Sequence, residues 1–167
     1  MLLHTPVEGA ETLFEKAGVQ PIKGERMAPH FSLDHLDGKK VELKQYRGKI
    51  VFLNFWATWC GPCKEEMPSM EALYQTFKKD HFVFLAISVD YEERTAVKAF
   101  IDKHRYTFPV LMDPKGITLD LYKVRGIPAT ILIDKKGRMI GRVISPKDWN
   151  HPDIETLLKK LLGPSPR

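Results

Sequence analysis

The chain has 167 residues, of which 43% are hydrophobic and 28% charged, and it carries a formal net charge of +5 at pH 7. This composition is typical of one soluble globular domain, and the longest apolar run, Phe82–Val89, is far too short to cross a bilayer. Because the 26 lysines and arginines are scattered among 21 acidic residues, we expect a solvated basic surface and no nucleic-acid partner.

The N-terminal part of the chain is predicted to form a helix, a connector and a hairpin. Apolar residues recur at helical spacing over residues 7–18, which predicts a short helix. Residues 19–29 contain Pro21, Gly24 and Pro29 and are predicted to be a connector. Residues 31–34 and 40–43 alternate apolar and polar side chains around an Asp37-Gly38 turn, which is the pattern of a β-hairpin.

Two nearly unbroken apolar runs predict the centre of a sheet. Residues 50–55 and 82–89 are typical of strands buried on both faces, and residues 62–79 between them have helical periodicity. The elements predicted after them are a helix at Glu93–His104, an extended piece at Phe108–Met112, a short helix at Gly116–Tyr122, strands at Thr130–Ile133 and Arg138–Ile144, and a helix at Ile154–Leu162. This order predicts an α/β fold in which helices cover both faces of a mixed sheet.

The only two cysteines, Cys60 and Cys63, lie where the first buried strand ends and a helix begins. A disulfide-stapled scaffold would carry more cysteines at wider spacings. Pro62 suits the first helical turn, and the second thiol follows about one turn later on the same face, so the pair can form a disulfide with little backbone movement. The positive end of the helix favours a thiolate at Cys60, which predicts Cys60 as the nucleophile and Cys63 as the more buried resolving thiol.

Several separate motifs carry a family resemblance. Residues 55–64 read Phe-Trp-Ala-Thr-Trp-Cys-Gly-Pro-Cys-Lys, with Pro68 in the following helix and Arg-Gly-Ile-Pro at residues 125–128. Together they resemble the thioredoxin superfamily. Residues 28–33, which read Ala-Pro-His-Phe-Ser-Leu, and Asn54–Trp56 resemble more narrowly its extracytoplasmic TlpA/ResA-like branch, which includes DsbE/CcmG-like proteins.

The resemblance extends over residues 26–162 and implies a fold and a domain division. The fold is thioredoxin-like, with a central mixed β-sheet flanked by helices on both faces and an N-terminal β-hairpin extension. The division places an N-terminal helix and connector at residues 1–25, the thioredoxin-like domain at 26–163 and a tail at 164–167.

The resemblance also implies a substrate-binding loop beside the cysteines. The resemblance implies that the Ile127-Pro128 peptide bond is cis. Nothing in the local spacing shows this, and an isolated proline before a strand is more often trans, although X-Pro bonds are the only ones for which the cis form costs little. The backbone of Ile127 would then offer an edge with which an extended substrate can pair. The residues expected to bind substrate are Trp59, Gly61, Pro62, Ile127 and Pro128.

This sequence differs from cytosolic thioredoxins at a position that is involved in proton transfer. Cytosolic thioredoxins have a buried aspartate at the position of Asn54, and an asparagine cannot titrate. In the ResA-like branch a glutamate three residues after the second cysteine takes this role, so the resemblance implies that Glu66 accepts the proton of Cys63. The alternative is that Glu66 is an ordinary surface glutamate, as we expect for Glu65.

A pair of cysteines at this spacing has four other possible uses besides thiol-disulfide exchange. A zinc site needs four ligands, and the sequence has neither a second cysteine pair nor histidines at finger spacing. An inert structural pair is the simplest alternative. A cysteine peroxidase with the signature Pro-x-x-x-Thr-x-x-Cys would need proline and threonine at Leu53 and Ala57. A copper-binding module on the same fold would use Cys-x-x-x-Cys, which is one residue longer.

These observations predict a thiol-disulfide oxidoreductase that reduces target disulfides through Cys60 and Cys63, without a metal or an organic cofactor. The resemblance implies a monomer that acts on protein disulfides, of which an apocytochrome c with an oxidised Cys-x-x-Cys-His site is one example. It implies a membrane thiol donor of the CcdA/DsbD type. Residues 1–11 lack the charged and apolar regions of a signal peptide, so the protein is either cytosolic or extracytoplasmic with a signal or anchor outside this sequence. The resemblance favours the second interpretation.

Overall fold

The computed structural model describes residues 6–91 and 94–164, with the side chains described from residue 9 onward. The elements in chain order are α1 (Pro6–Lys16), β1 (Gln20–Pro21), β2 (Ser32–His35), β3 (Lys40–Glu42), a 3₁₀ helix (Leu43–Tyr46), β4 (Ile50–Trp56), α2 (Gly61–Phe77), β5 (Phe82–Ser88), α3 (Arg94–His104), β6 (Val110–Met112), α4 (Ile117–Leu121), β7 (Ala129–Ile133), β8 (Met139–Val143) and α5 (Pro152–Leu162). The strands form a single sheet in the order β1-β8-β7-β4-β5-β6-β2-β3.

The centre of this sheet is mixed, as predicted. Strand β4 pairs in parallel with β5, which pairs in parallel with β6, whereas β7 pairs antiparallel with the other side of β4. Every residue of β4 is buried. The ring of Trp56 packs against Phe100 of α3, and the adjacent Phe55 packs against Tyr122, which follows α4. Because successive side chains of a strand point to opposite faces, helices cover both faces of the sheet.

The predicted β-hairpin extension is confirmed at one edge of the sheet. Strands β2 and β3 pair antiparallel, with Leu33 opposite Val41, and β2 pairs with β6. Gly38 has a φ of +90°, a conformation that few other residues adopt easily. The sequence predicted the start of the third helix at Glu93, which lies outside the described residues, and the extended piece at 108–112 is a strand only from Val110.

The prediction that residues 19–29 are only a connector is wrong at its beginning. Strand β1 pairs antiparallel with β8, with Gln20 opposite Arg142, and Val19 beside it is 2% exposed. The backbone of Gly141 approaches so closely that an added Cβ would lie 2.7 Å from Val19 Cγ1 and 2.8 Å from Phe14 Cε1. A two-residue strand that contains a proline has no periodic signal, so only its partner strand reveals it. The division into domains at residue 25 stays a prediction.

Candidate active site

The cysteine pair lies at the junction between β4 and α2. Cys60 is the N-cap residue of α2, and its Sγ accepts a hydrogen bond of 3.3 Å from the backbone N–H of Cys63. The two cysteines form a disulfide, with their Cα atoms 5.3 Å apart. Cys60 is 6% exposed, whereas Cys63 has no exposed surface. An incoming sulfur can therefore reach only Cys60, on the side of the pair that faces solvent.

The loop before β7 brings a backbone edge next to Cys60. The Ile127-Pro128 peptide bond is cis, as predicted, and the carbonyl oxygen of Ile127 lies 3.8 Å from Cys60 Sγ. Trp59, the residue before Cys60, is 60% exposed, and Gly61 after it is exposed as well. The loop thus lies against the reactive sulfur, between exposed neighbours of Cys60.

A groove with a volume of about 580 Å³ extends from this point over the surface. Trp59 and Ile127 line it, together with Tyr91, Leu119 and Arg125. Of the residues that the sequence suggested for substrate binding, Trp59 and Ile127 therefore share one groove. Pro62 is exposed at the start of α2, whereas Pro128 is buried beneath the loop.

A buried carboxylate that sequence analysis missed fixes the turn before Cys60. Asp90, two residues after the end of β5, has no exposed surface. Both of its carboxylate oxygens lie 3.1 Å from the backbone nitrogen of Thr58, and it also accepts hydrogen bonds from the hydroxyls of Thr58 and Ser88. Polar groups that are buried in proteins are normally hydrogen-bonded in this way. The turn that carries Trp59 and Cys60 is thus anchored to the end of the neighbouring strand.

Glu66 lies on α2, one turn after Cys63, and it is only 3% exposed. The alternative of a surface glutamate is therefore wrong, whereas Glu65 is exposed as expected. Burial raises the pKa of Glu66 above its ordinary value, and hydrogen bonds from Trp149, Asn54 and the backbone of Lys147 oppose this effect in part. The result is a carboxyl group that can hold a proton closer to neutral pH than a solvated glutamate can.

The hydrogen bonds of the Glu66 carboxylate come from two distant segments, the strand β4 and the loop after β8. Oε2 accepts from the backbone N–H of Lys147 at 3.1 Å and from the indole Nε1–H of Trp149 at 3.0 Å. Oε1 accepts from Nδ2 of Asn54 at 3.0 Å, and the same nitrogen lies 3.0 Å from Oγ1 of Thr130. Sequence analysis missed Trp149 and Thr130. No local motif marks either residue, although the register of β4 on β7 places Thr130 directly opposite Asn54.

A hollow of about 370 Å³ lies on the outer side of Glu66. The residues that line it with Glu66 are Glu65, Pro68, Ser69, Pro146, Lys147 and Asp148. Its size is sufficient for several water molecules. The hollow therefore offers room for water next to the buried carboxyl group.

Two further properties concern metal binding and membrane spanning. Within residues 6–91 and 94–164, no group of three or more His, Cys, Asp or Glu side chains is arranged to hold a metal ion. None of the helices in the same ranges has the length and apolar character needed to cross a membrane. Exchange between a dithiol and a disulfide needs neither a metal nor an organic cofactor.

Comparisons with known proteins agree with this site. The profile of the AhpC/TSA family matches residues 25–141. The thiol-disulfide oxidoreductase ResA of Geobacillus kaustophilus is 45% identical over 134 residues, which are 80% of this chain and 75% of that protein. A thiol:disulfide interchange protein of the thioredoxin family from Chlorobium tepidum has 29% identity and a TM-score of 0.72, over 85% of this chain and 99% of that one. The pneumococcal exposed lipoprotein thioredoxin of Streptococcus pneumoniae has 29% identity and a TM-score of 0.68, over 78% and 99% of the two chains.

The fold, the cysteine pair at the N-terminus of α2 and these matches show that the chain belongs to the AhpC/TSA family of thioredoxin-fold proteins. Within this class it is similar over most of its length to the ResA thiol-disulfide oxidoreductases. Its activity is accordingly that of a thiol-disulfide oxidoreductase that uses Cys60 and Cys63.

Proposed function

We propose that the protein is a protein-disulfide reductase in which Cys60 attacks and Cys63 resolves. The observation that carries this proposal is the asymmetry of the pair, because Cys60 is at the solvent-facing N-cap of α2 and Cys63 is fully buried one turn later. In the reduced protein the Cys63 N–H and the positive end of the helix favour the thiolate of Cys60.

The reaction balances as two successive exchanges. The Cys60 thiolate attacks one sulfur of the target disulfide, so that a mixed disulfide forms and the other target sulfur leaves as a thiolate. Cys63 then loses its proton and attacks Cys60 Sγ. The mixed disulfide breaks, the second target sulfur leaves, and the Cys60–Cys63 disulfide remains. Two electrons pass from the protein to the target, and a donor dithiol must return them.

Glu66 accepts the proton of Cys63 in this scheme. It lies three residues after Cys63 and therefore on the same face of α2. Its pKa is raised by burial, so the carboxylate is a better base than a solvated glutamate would be, and the outer hollow allows it to exchange the proton with water.

The groove beside Ile127 supports an extended polypeptide as the substrate. The backbone of Ile127 can pair with a client segment, while Trp59, Leu119 and Tyr91 provide apolar and aromatic contacts for its side chains. The residues proposed to bind the client are Trp59, Gly61, Pro62, Ile127 and Pro128. An apocytochrome c with an oxidised Cys-x-x-Cys-His site is the client class that we propose, with a membrane thiol donor of the CcdA/DsbD type.

An extracytoplasmic location follows from the same proposal. Its support is the similarity to ResA proteins and to a solved structure whose description is an exposed lipoprotein thioredoxin. A client that arrives as a disulfide also fits a compartment outside the reducing cytosol.

The test is to trap the mixed disulfide with an oxidised Cys-x-x-Cys-His peptide. Cys63→Ser should accumulate a covalent adduct through Cys60, because the resolving sulfur is absent. Cys60→Ser should give no adduct, since Cys63 is buried. The wild-type protein should reduce the peptide stoichiometrically. Adducts of Cys60→Ser at the same rate as Cys63→Ser would contradict the assigned roles.

The same preparation tests the peroxidase alternative, to which the AhpC/TSA match draws attention. The positions that a peroxidase signature would fill with proline and threonine hold Leu53 and Ala57, both fully buried. We expect the reduced wild-type protein to consume hydrogen peroxide far more slowly than it reduces the peptide disulfide. Rapid peroxide turnover would favour a peroxidase instead.

A further inference from the structure

The buried amide of Asn54 has one polar atom without a partner. Its Nδ2 donates to Glu66 Oε1 and Thr130 Oγ1, both at 3.0 Å, whereas within the described residues its Oδ1 accepts no hydrogen bond. The side chain has no exposed surface. A buried carbonyl without a donor costs free energy. Because only Nδ2 is hydrogen-bonded, the present orientation of the amide is not fixed by bonds to both of its polar atoms.

The partners of Glu66 differ in what they can do when the carboxyl group takes up a proton. The backbone N–H of Lys147 and the indole N–H of Trp149, which face Oε2, can only donate. Asn54, which faces Oε1, carries both a donor and an acceptor on one amide. Among these three partners, only Asn54 can accept a hydrogen bond from protonated Glu66, and it can do so only through Oδ1.

We propose that the Asn54 amide reverses when Glu66 becomes protonated. With ionised Glu66, Nδ2 donates to the carboxylate and to Thr130, as the structure shows. With protonated Glu66, Oδ1 accepts from the carboxyl O–H and from the hydroxyl of Thr130, which can either donate or accept. This inference rests on the proposed role of Glu66 as the proton acceptor and adds Asn54 as the residue that positions it.

The reversal preserves the number of hydrogen bonds. Each orientation makes two bonds, to Glu66 and to Thr130, and each leaves one atom of the amide without a partner. An asparagine whose atoms were all bonded would lose a bond on reversal and would favour one charge state of Glu66. The unpartnered Oδ1 is therefore the feature that allows Asn54 to hold the Glu66 carboxyl group in both charge states.

In the oxidised protein, the other ionisable groups near Glu66 are not placed to cause the reversal of the Asn54 amide. On α2, Cys63 is in the disulfide and does not titrate, and Glu65 is exposed. From the loop after β8, Asp148 is exposed, and the Nζ of Lys147 points to the turn that follows α1, where it lies 2.6 Å from the position of a Cβ added to Gly18. Strands β4 and β7 contribute only the uncharged Asn54 and Thr130.

The test is an NMR titration of the oxidised, isotope-labelled protein. The carboxyl carbon of Glu66 reports its protonation, and nuclear Overhauser contacts from the Asn54 side-chain N–H protons report the amide orientation. Above the midpoint we expect contacts from these protons to Glu66 and Thr130. Below it these contacts should disappear with the same midpoint, because Oδ1 then occupies their place.

Two variants test whether the titration of Glu66 causes the change in the Asn54 contacts. Glu66→Gln cannot titrate, so the contacts of Asn54 should not depend on pH. Glu65→Gln should leave the wild-type transition unchanged, since Glu65 is exposed. If the Glu66 carboxyl carbon titrates while the Asn54 contacts stay constant, the reversal is wrong and the role of Glu66 stands. If the Glu66 carboxyl carbon does not titrate while the protein remains folded, both proposals are wrong.

Discussion

Glu66 is the residue at which burial changes the chemistry most directly. The face of α2 on which Glu66 lies could be predicted from its spacing to Cys63, because residues three apart lie on one side of a helix. Its burial could not, since the side chains that cover it come from β4 and from the loop after β8, far away in sequence. The neighbouring Glu65 has the same side chain on the exposed face and therefore serves as an internal control.

Glu66→Gln should slow the resolution of the mixed disulfide. Glutamine keeps the size of the side chain and one acceptor oxygen, but it cannot accept the Cys63 proton. General-base groups contribute a factor of about 10² to 10⁴, so we expect a loss of at least about 10²-fold in the rate of product release, measured by stopped-flow mixing with the peptide. The wild-type rate should fall as the pH falls through the raised pKa of Glu66, and the variant should lack this inflection.

The matched substitution Glu65→Gln should leave both the rate and its pH profile unchanged, because Glu65 is exposed. Indistinguishable profiles for the two variants would mean that the proton of Cys63 passes directly to water. Intact far-UV circular dichroism of Glu66→Gln would show that the loss of rate is not a loss of fold.

At the scale of elements, the sequence predicted those parts that have their own local signal. The strands at residues 50–55 and 82–89 are buried along both faces, and their apolar runs show this directly. The hairpin of β2 and β3 has turn residues at the right place. Strand β1 has no such signal because it exists only through its pairing with β8.

The close packing of α1 and β1 on β8 gives a prediction for Gly141. An alanine there would place its Cβ 2.7 Å from Val19 Cγ1 and 2.8 Å from Phe14 Cε1, so the N-terminal segment must shift. Overpacking of this kind typically costs about 1–3 kcal/mol, and we expect Gly141→Ala to lower the free energy of unfolding in urea by that amount.

Gly9→Ala is the control for this substitution. Gly9 lies in α1, and a Cβ added there would meet nothing within 4 Å. Alanine is the better helix former by about 0.5–1 kcal/mol, so this variant should be as stable as the wild type or more stable. Equal stability of the two variants would contradict the close approach of β8 to α1 and β1.

At the scale of the whole molecule, Glu66 links stability to pH. Its pKa is raised in the folded state, mainly by burial, from an ordinary value of 4.5. The folded protein therefore binds more protons than the unfolded chain between the two pKa values, and the stability contributed by Glu66 falls as the pH rises through this window. Relative to Glu66→Gln, the wild type should lose about 1.4 kcal/mol for each unit by which the pKa is raised.

Glu71, in the same helix, has the opposite effect on how stability depends on pH. Burial tends to raise its pKa, but hydrogen bonds from Thr107, Gln75 and the backbone of Phe108 outweigh this effect, so its pKa is lowered. Its stabilising contribution is therefore present above 4.5 and is lost as the pH falls. Urea unfolding across pH should show the wild type losing stability relative to Glu71→Gln towards acid, and relative to Glu66→Gln towards neutral pH. If the wild type lost stability in the same pH direction relative to both variants, the opposite pKa shifts assigned to Glu66 and Glu71 would be contradicted.

The asymmetry of the two cysteines is central to the proposed mechanism. It is measured directly by reducing the protein, treating it briefly with iodoacetamide near neutral pH and quantifying each alkylated cysteine by peptide mass spectrometry. Cys60 caps α2 at the solvent face, whereas Cys63 has no exposed surface. We predict that Cys60 is modified well before Cys63. Equal rates, or faster modification of Cys63, would contradict the mechanism.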